Sequence, residues 1–251
     1  MKKIYCILSL ALALVLCNSC SYDKAADSIS PTGKGGSMAR FAINGNYLYT
    51  VDSKDLRIFD ISTPATPVYR NKKQLGFDIE TIFPYDKYLF IGTQTGMQIV
   101  SVQDPVVPEV YSTYSHVRSC DPVVAQDTVA YVTLRAGRTC GNAAVNQLEV
   151  LNVKNLRDPY IVNAYPLTGP YGLGIDGNRL FVCDGTDGLK VFKMNTPTNL
   201  SQIAHYPMKD AYDVIPLNNL LIISAGDGIY QCSYSQSNYQ INLLSKMSVE
   251  R

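Results

Sequence analysis

The 251 residues carry a formal net charge of +1 with 17% charged side chains, which leaves no basic field for nucleic acid or an acidic surface. Hydrophobic residues make up 46%, enough to bury a core, and the length fits one all-β domain or two smaller ones. The absence of Trp and the presence of only two His narrow the chemistry further.

The chain opens on a targeting segment. Lys2 and Lys3 form a basic start, and residues 4–16 are a 13-residue apolar run, short for a bilayer span and right for an export signal. Cys17-Asn18-Ser19-Cys20 resembles a relaxed bacterial lipobox, with small Ser19 before Cys20 and Cys17 standing where Leu is usual. The expectation is a signal peptide over 1–19, lipid on Cys20, and a polar tether over 20–36, with an ordinary cleaved secretory signal as the alternative. Lipid on Cys20 places the protein as an outer-membrane lipoprotein of a Gram-negative cell envelope, facing the periplasm or the surface and held to the membrane by the lipid.

From residue 37 onward the chain repeats. Each unit has an apolar strand, a tight polar turn, two further strands and an outer strand. The third strands begin at Leu56, Met97, Leu148, Leu189 and Ile229, so the steps are 41, 51, 41 and 40 residues. A period near 40 with four short strands per unit is the signature of a propeller. The first turns fall at 44–46, 85–87, 126–127, 176–178 and 218–219, rich in Asn, Asp and Gly, which tolerate the positive φ of tight hairpins. Prolines gather after the third strand, at Pro64, Pro67, Pro105, Pro108, Pro159 and Pro197, where no ladder donor is needed. The predicted fold class is all-β: a single five-bladed β-propeller over 37–251. Its blades run about 37–75, 76–115, 116–168, 169–209 and 210–251, with no strand exchanged between the ends.

The motif Leu56-Arg57-Ile58-Phe59-Asp60-Ile61-Ser62-Thr63-Pro64-Ala65-Thr66-Pro67 resembles the LVIVD repeat family of exported β-propeller proteins. Leu148 to Val153 and Leu189 to Lys193 are weaker copies, and unit five is the most degraded, with Ser233 and Ser237 where Asp and Pro are expected. The resemblance implies a propeller and an exported location. It brings no agreed activity or catalytic residue.

Propeller topology puts the starts of the inner strands and the turns between second and third strands on one face, around the channel mouth, where loops on a rigid scaffold carry function. Aligned inner strands place Arg40, Thr81, Pro122, Gly172 and Asp213 in one column, preceded by Ala39, Glu80, Asp121, Tyr171 and Tyr212. Two residues further out lie Ser37, Asp78, Ser119, Gly169 and Asp210. Asp78, Glu80, Asp121, Asp210 and Asp213 with Arg40 therefore form a candidate binding rim for an amine, a polyhydroxylated ligand or a cation such as calcium; a solvated rim of ion pairs is the alternative. Arg135 and Arg138, on an insertion of about ten residues in unit three, together with His116 and Arg118, could add an anion subsite.

Cys140 lies on the same insertion and Cys120 at the same face, so a Cys120–Cys140 bridge is expected, stabilising by roughly 3 kcal/mol through loop entropy. Intact mass with and without reductant reads it directly: two free thiols at these positions exclude the bridge. Cys183 and Cys232 fall within strands and are expected as buried thiols. Neither His has metal-ligand spacing, Asp184 to Gly188 is too short for a calcium loop and reads as a hairpin turn, and there is no nucleophile elbow or phosphate loop. No cofactor is expected. The functional expectation is a binding or scaffold module acting through the mouth, toward a cell-envelope protein or a small polar ligand. The alternative is a glycosidase-like enzyme using Glu80, Asp121 and Asp213.

Overall fold

A computed structural model describes residues 35–76, 78–115, 122–137, 145–235, 237 and 240–249. The expected signal segment, Cys20, most of the tether, Cys120, Asp121, Arg138 and Cys140 lie outside the described residues.

Twenty strands form five four-stranded antiparallel sheets. Blade 1 holds β1 (Phe41–Asn44), β2 (Tyr47–Val51), β3 (Asp55–Asp60) and β4 (Val68–Gln74). Blade 2 holds β5 (Ile79–Tyr85), β6 (Tyr88–Thr93), β7 (Gly96–Ser101) and β8 (Glu109–Ser115). Blade 3 holds β9 (Val123–Gln126), β10 (Val129–Leu134), β11 (Gln147–Asn152) and β12 (Tyr160–Pro166). Blade 4 holds β13 (Leu173–Asp176), β14 (Arg179–Cys183), β15 (Leu189–Thr196) and β16 (Asn199–Tyr206). Blade 5 holds β17 (Ala211–Leu217), β18 (Leu220–Ala225), β19 (Gly228–Tyr234) and β20 (Ile241–Ser248). Each blade uses four strands in chain order, so none is completed by exchange between the ends. Every first hairpin turns on positive φ, at Gly45, Asp86, Asp127, Gly177 and the pair Asn218-Asn219.

The fourth strand of every blade carries one extra residue: Arg70, Tyr111, Val162, Ile203 and Leu244 stand unpaired in the ladder with the third strand. A bulge at this point bends the outer strand and re-aims the next side chain. In the first three blades that next side chain is a hydrogen-bond donor. Asn71 Nδ2 reaches the Val106 carbonyl at 2.7 Å, Ser112 Oγ the Leu156 carbonyl at 2.6 Å, and Asn163 Nδ2 the Thr198 carbonyl at 3.3 Å. Each strap lands on the proline-rich exit loop of the following blade. Tyr49 and Tyr131 add a second strap, to the carbonyls of Pro105 at 3.2 Å and Pro197 at 2.6 Å. Proline gives up a donor but keeps its acceptor, so the exit motif becomes a docking point for the preceding blade.

Among the described residues, four clusters of buried apolar side chains fill the interfaces between blades 1 and 2, 2 and 3, 3 and 4, and 4 and 5. Among the described residues no such cluster joins blade 5 to blade 1. The strap series ends one junction earlier: Ala204 of blade 4 has no side-chain donor, and Ser245 of blade 5 bonds to Gln231 of its own blade at 3.0 Å. Correspondingly the second strands beside the seam, β2 and β18, alternate buried and half-buried residues, whereas β10 and β14 in the middle of the order are buried throughout. A polar contact crosses this seam, between Ser37 and Asp213. Cys183 and Cys232 are free and buried, as expected.

Candidate functional site

The register of the sheets aligns the five inner strands as the sequence does. Arg40, Thr81, Pro122, Gly172 and Asp213 sit opposite Val51, Gly92, Thr133, Cys183 and Ser224, which pair in turn with Leu56, Met97, Leu148, Leu189 and Ile229. The residues at and just before this column lie at the mouth, but they do different work from blade to blade.

A cavity of about 260 Å³ opens where blades 1 to 4 converge. Blade 1 contributes Met38 and Arg40 from the segment leading into β1. Blade 2 contributes Glu80 and Thr81; the ladder passes from Ile79–Thr93 to Thr81–Gly92, so Glu80 is an extra residue lifted out of β5. Blade 3 contributes Pro122 and Arg135, and blade 4 Pro170 and Tyr171. The Arg135 guanidinium lies 3.8 Å from the centre of the Tyr171 ring, a stacked cation–π contact. Tyr212 of blade 5 meets Tyr171 edge-on, with centroids 5.2 Å apart. Arg40 donates to the Ile79 carbonyl at 3.3 Å, which swings its guanidinium across the interface between blades 1 and 2.

Of the five carboxylates placed on the rim by sequence, Glu80 lines this cavity. Asp78 and Asp210 occupy equivalent positive-φ positions, at 60° and 49°, and their carbonyls accept from Gln94 N at 3.1 Å and Gly226 N at 3.0 Å. Asp tolerates that region better than most side chains, so both hold the backbone turn into an inner strand. Asp213 does something else. Its carboxylate accepts from Val214 N at 3.0 Å and from Ser37 Oγ at 3.3 Å, with a further backbone donor at Met38. Ser37 Oγ in turn accepts from Leu173 N at 2.7 Å. A Cβ on Gly36 or on Gly172 would stand 2.1 Å from a carboxylate oxygen of Asp213, so the group fits a slot that only two glycines leave open. This clasp ties the segment before β1 to blades 4 and 5 and is the polar connection across the seam. Sequence alignment places Ser37 and Asp213 in separate columns; their pairing is a tertiary event with no local signal.

Burial pushes the Asp213 carboxyl up to about 6 against the pull of its hydrogen bonds from Val214, Met38 and Ser37. Between about 4 and 6 the folded protein therefore holds a proton that the unfolded chain has released. Asp213's contribution to stability is complete below the unfolded value of 3.8 and is lost as pH rises through about 6. We predict a fall on the order of 2 kcal/mol across that window in urea unfolding of the wild type, and a flatter profile for Asp213→Asn. An unchanged slope in the variant would exclude Asp213 as its source.

Behind the Tyr171 wall lies a buried network that sequence reading missed. Asp184 is fully buried; its carboxylate accepts from Thr168 N at 3.0 Å, Gly169 N at 2.8 Å and Lys190 Nζ at 2.5 Å. Lys190 also reaches Asp187 at 2.7 Å, and His205 Nε2 lies 3.3 Å from Asp187 Oδ1. Burial works against the Lys190 ammonium, but its bonds to Asp184 and Asp187 outweigh it and raise its pKa; the Lys190 bond likewise holds Asp187 low. The 184–188 stretch is the expected tight turn, closed by Asp187 N to the Asp184 carbonyl at 3.0 Å. A signal for the pair does exist in the sequence. Blade 1 has an Asp just after its second strand and a basic second residue near the start of its third, and these pair as Asp52–Arg57 at 2.7 Å. Asp184 and Lys190 are the buried version of the same arrangement.

Five blades of this topology define a β-propeller. The family model of the LVIVD repeat matches residues 35–71, which is most of blade 1, so this β-propeller carries an LVIVD repeat there. No curated protein matches the sequence. Among solved structures the fold is similar to a functionally unknown protein from Desulfotomaculum acetoxidans, with TM-score 0.67 and 11% identity over 86% of this chain and 71% of that one. It is also similar to a periplasmic gluconolactonase of Pseudomonas aeruginosa, with TM-score 0.65 and 13% identity over 84% and 71%. A putative 6-phosphogluconolactonase of Bacteroides fragilis gives TM-score 0.65 and 11% identity over 84% and 70%. At these identities the likeness is one of fold.

Proposed function

We propose that the protein is an exported, membrane-anchored binding module that takes a small ligand in the mouth cavity. The observation that carries this reading is the convergence of the least repetitive residues, from four different blades, on one concave site. Glu80 on its bulge, Arg135 on the unit-three insertion and Tyr171 all face a 260 Å³ space, while the regular copies of the repeat are spent on holding blades together. Function on a repeat scaffold concentrates where copies depart from the pattern. The cavity is smaller than the roughly 300–1,000 Å³ typical of drug-sized sites, so the ligand is compact.

A thermal-shift screen with sugars, sugar acids, amines and divalent cations tests the reading. Met38 is 39% exposed at the cavity's edge, so Met38→Trp fills the mouth without disturbing the core. A ligand that stabilises the wild type and not Met38→Trp or Tyr171→Ala supports a mouth site; hits that persist in both variants overturn it. Anchoring is tested apart from this, by fatty-acid labelling that Cys20→Ala abolishes.

A further inference from the structure

We propose that the mouth cavity selects a compact carboxylate-bearing ligand and that Arg40 is the residue that reads the carboxylate; this rests on the mouth-binding reading above. Arg40 is exposed, lines the cavity, and forms no ion pair among the described residues. Its hydrogen bond to the Ile79 carbonyl uses one of five N–H donors and fixes the direction of the guanidinium. A planar fork with several donors left over is built for two parallel bonds to a carboxylate.

The rest of the wall fits the same ligand. Arg135 sits over the Tyr171 ring, so a second cationic group flanks the space. Pro122 and Pro170 are buried and offer apolar contact but no backbone N–H. Thr81 and Glu80 complete the lining on the blade 2 side. Among the described residues lining the cavity, two guanidinium groups stand with one carboxylate, and Asp78, Asp210 and Asp213 are not part of that lining.

The decisive comparison is D-glucuronate against D-glucose, which differ at one carboxylate, with L-lactate as the smallest carboxylate and D-glucosamine as the amine. Calorimetric titration of the wild type is expected to show saturable binding of at least one of the two carboxylates, with glucose and glucosamine weaker by about tenfold or more. Arg40→Gln, which removes an exposed side chain and keeps a donor, is expected to lose about tenfold for the carboxylate, with Arg40→Lys intermediate. Equal binding of glucose and glucuronate, undiminished binding in Arg40→Gln, or no binding of either carboxylate overturns the proposal. In those cases a neutral or amine probe whose binding Met38→Trp abolishes leaves the mouth site standing without its anion preference. If no probe of any class is lost in Met38→Trp, the mouth reading itself fails.

Discussion

Lys190→Ala is expected to destabilise the propeller by about 3 kcal/mol, read as a lower urea midpoint with an unchanged slope. Lys190 is the cation facing Asp184, whose side chain has no access to water. Removing it leaves a buried carboxylate held by the amides of Thr168 and Gly169 alone. The cost of breaking such a pair is mostly the cost of the charge left behind. The double variant Asp184→Asn/Lys190→Met should therefore recover part of the loss, since it removes both charges from the interior. A loss in Lys190→Ala below about 0.5 kcal/mol, the range of ordinary surface substitutions, would show that the pair carries no such weight. The same residues brace Thr168 to Tyr171, so the variant should also weaken any ligand that binds at the mouth.

The second large effect is expected from one methyl group. Gly172→Ala should cost about 2–3 kcal/mol by overpacking. Gly172 is not among the residues with positive φ, so alanine meets no backbone strain there. The cost comes from contact alone: the new Cβ would stand 2.1 Å from Asp213 Oδ1 and 2.9 Å from the Tyr212 carbonyl. The carboxylate cannot swing away without giving up its bonds to Ser37 and Val214. Combining Gly172→Ala with Asp213→Ala relieves the tighter contact, so the double variant should be more stable than the sum of the two single losses implies. Strict additivity would show that the slot is not what the glycine serves.

The scaffold was legible in the sequence because each of its parts is local. Turn chemistry marks the first hairpins, the apolar alternation marks strands, and a 40-residue period counts the blades. Even the column Arg40, Thr81, Pro122, Gly172, Asp213 follows from strand starts alone, and the hydrogen-bond register reproduces it. The work done by each residue in that column was not legible. Asp78, Asp210 and Asp213 are one letter, yet the first two serve through backbone conformation and the third through a half-buried side chain. That difference depends on which neighbour crowds the group, and for Asp213 the neighbours are Gly36 and Ser37, more than 170 residues away in sequence. Glu80 differs again because a bulge lifts it out of the ladder, and a bulge leaves no composition mark. Buried Lys190 was hidden for a related reason: its counterpart Arg57 forms the same pair in the open, at 38% side-chain exposure.

The seam between blades 5 and 1 sets how the molecule yields to force. Each of the other four junctions has an apolar cluster and a peptide link between its blades; this one is crossed by the Ser37–Asp213–Leu173 clasp, and no peptide link runs from blade 5 back to blade 1. Tension between the two ends of the propeller loads the clasp at one end and the β19–β20 ladder at the other. Once the clasp opens, blades come away singly, each step exposing one inter-blade cluster, as in a linear repeat array. A rearranged chain whose ends fall between β8 and β9 would give the seam a peptide link and turn a better-packed junction into the point of release.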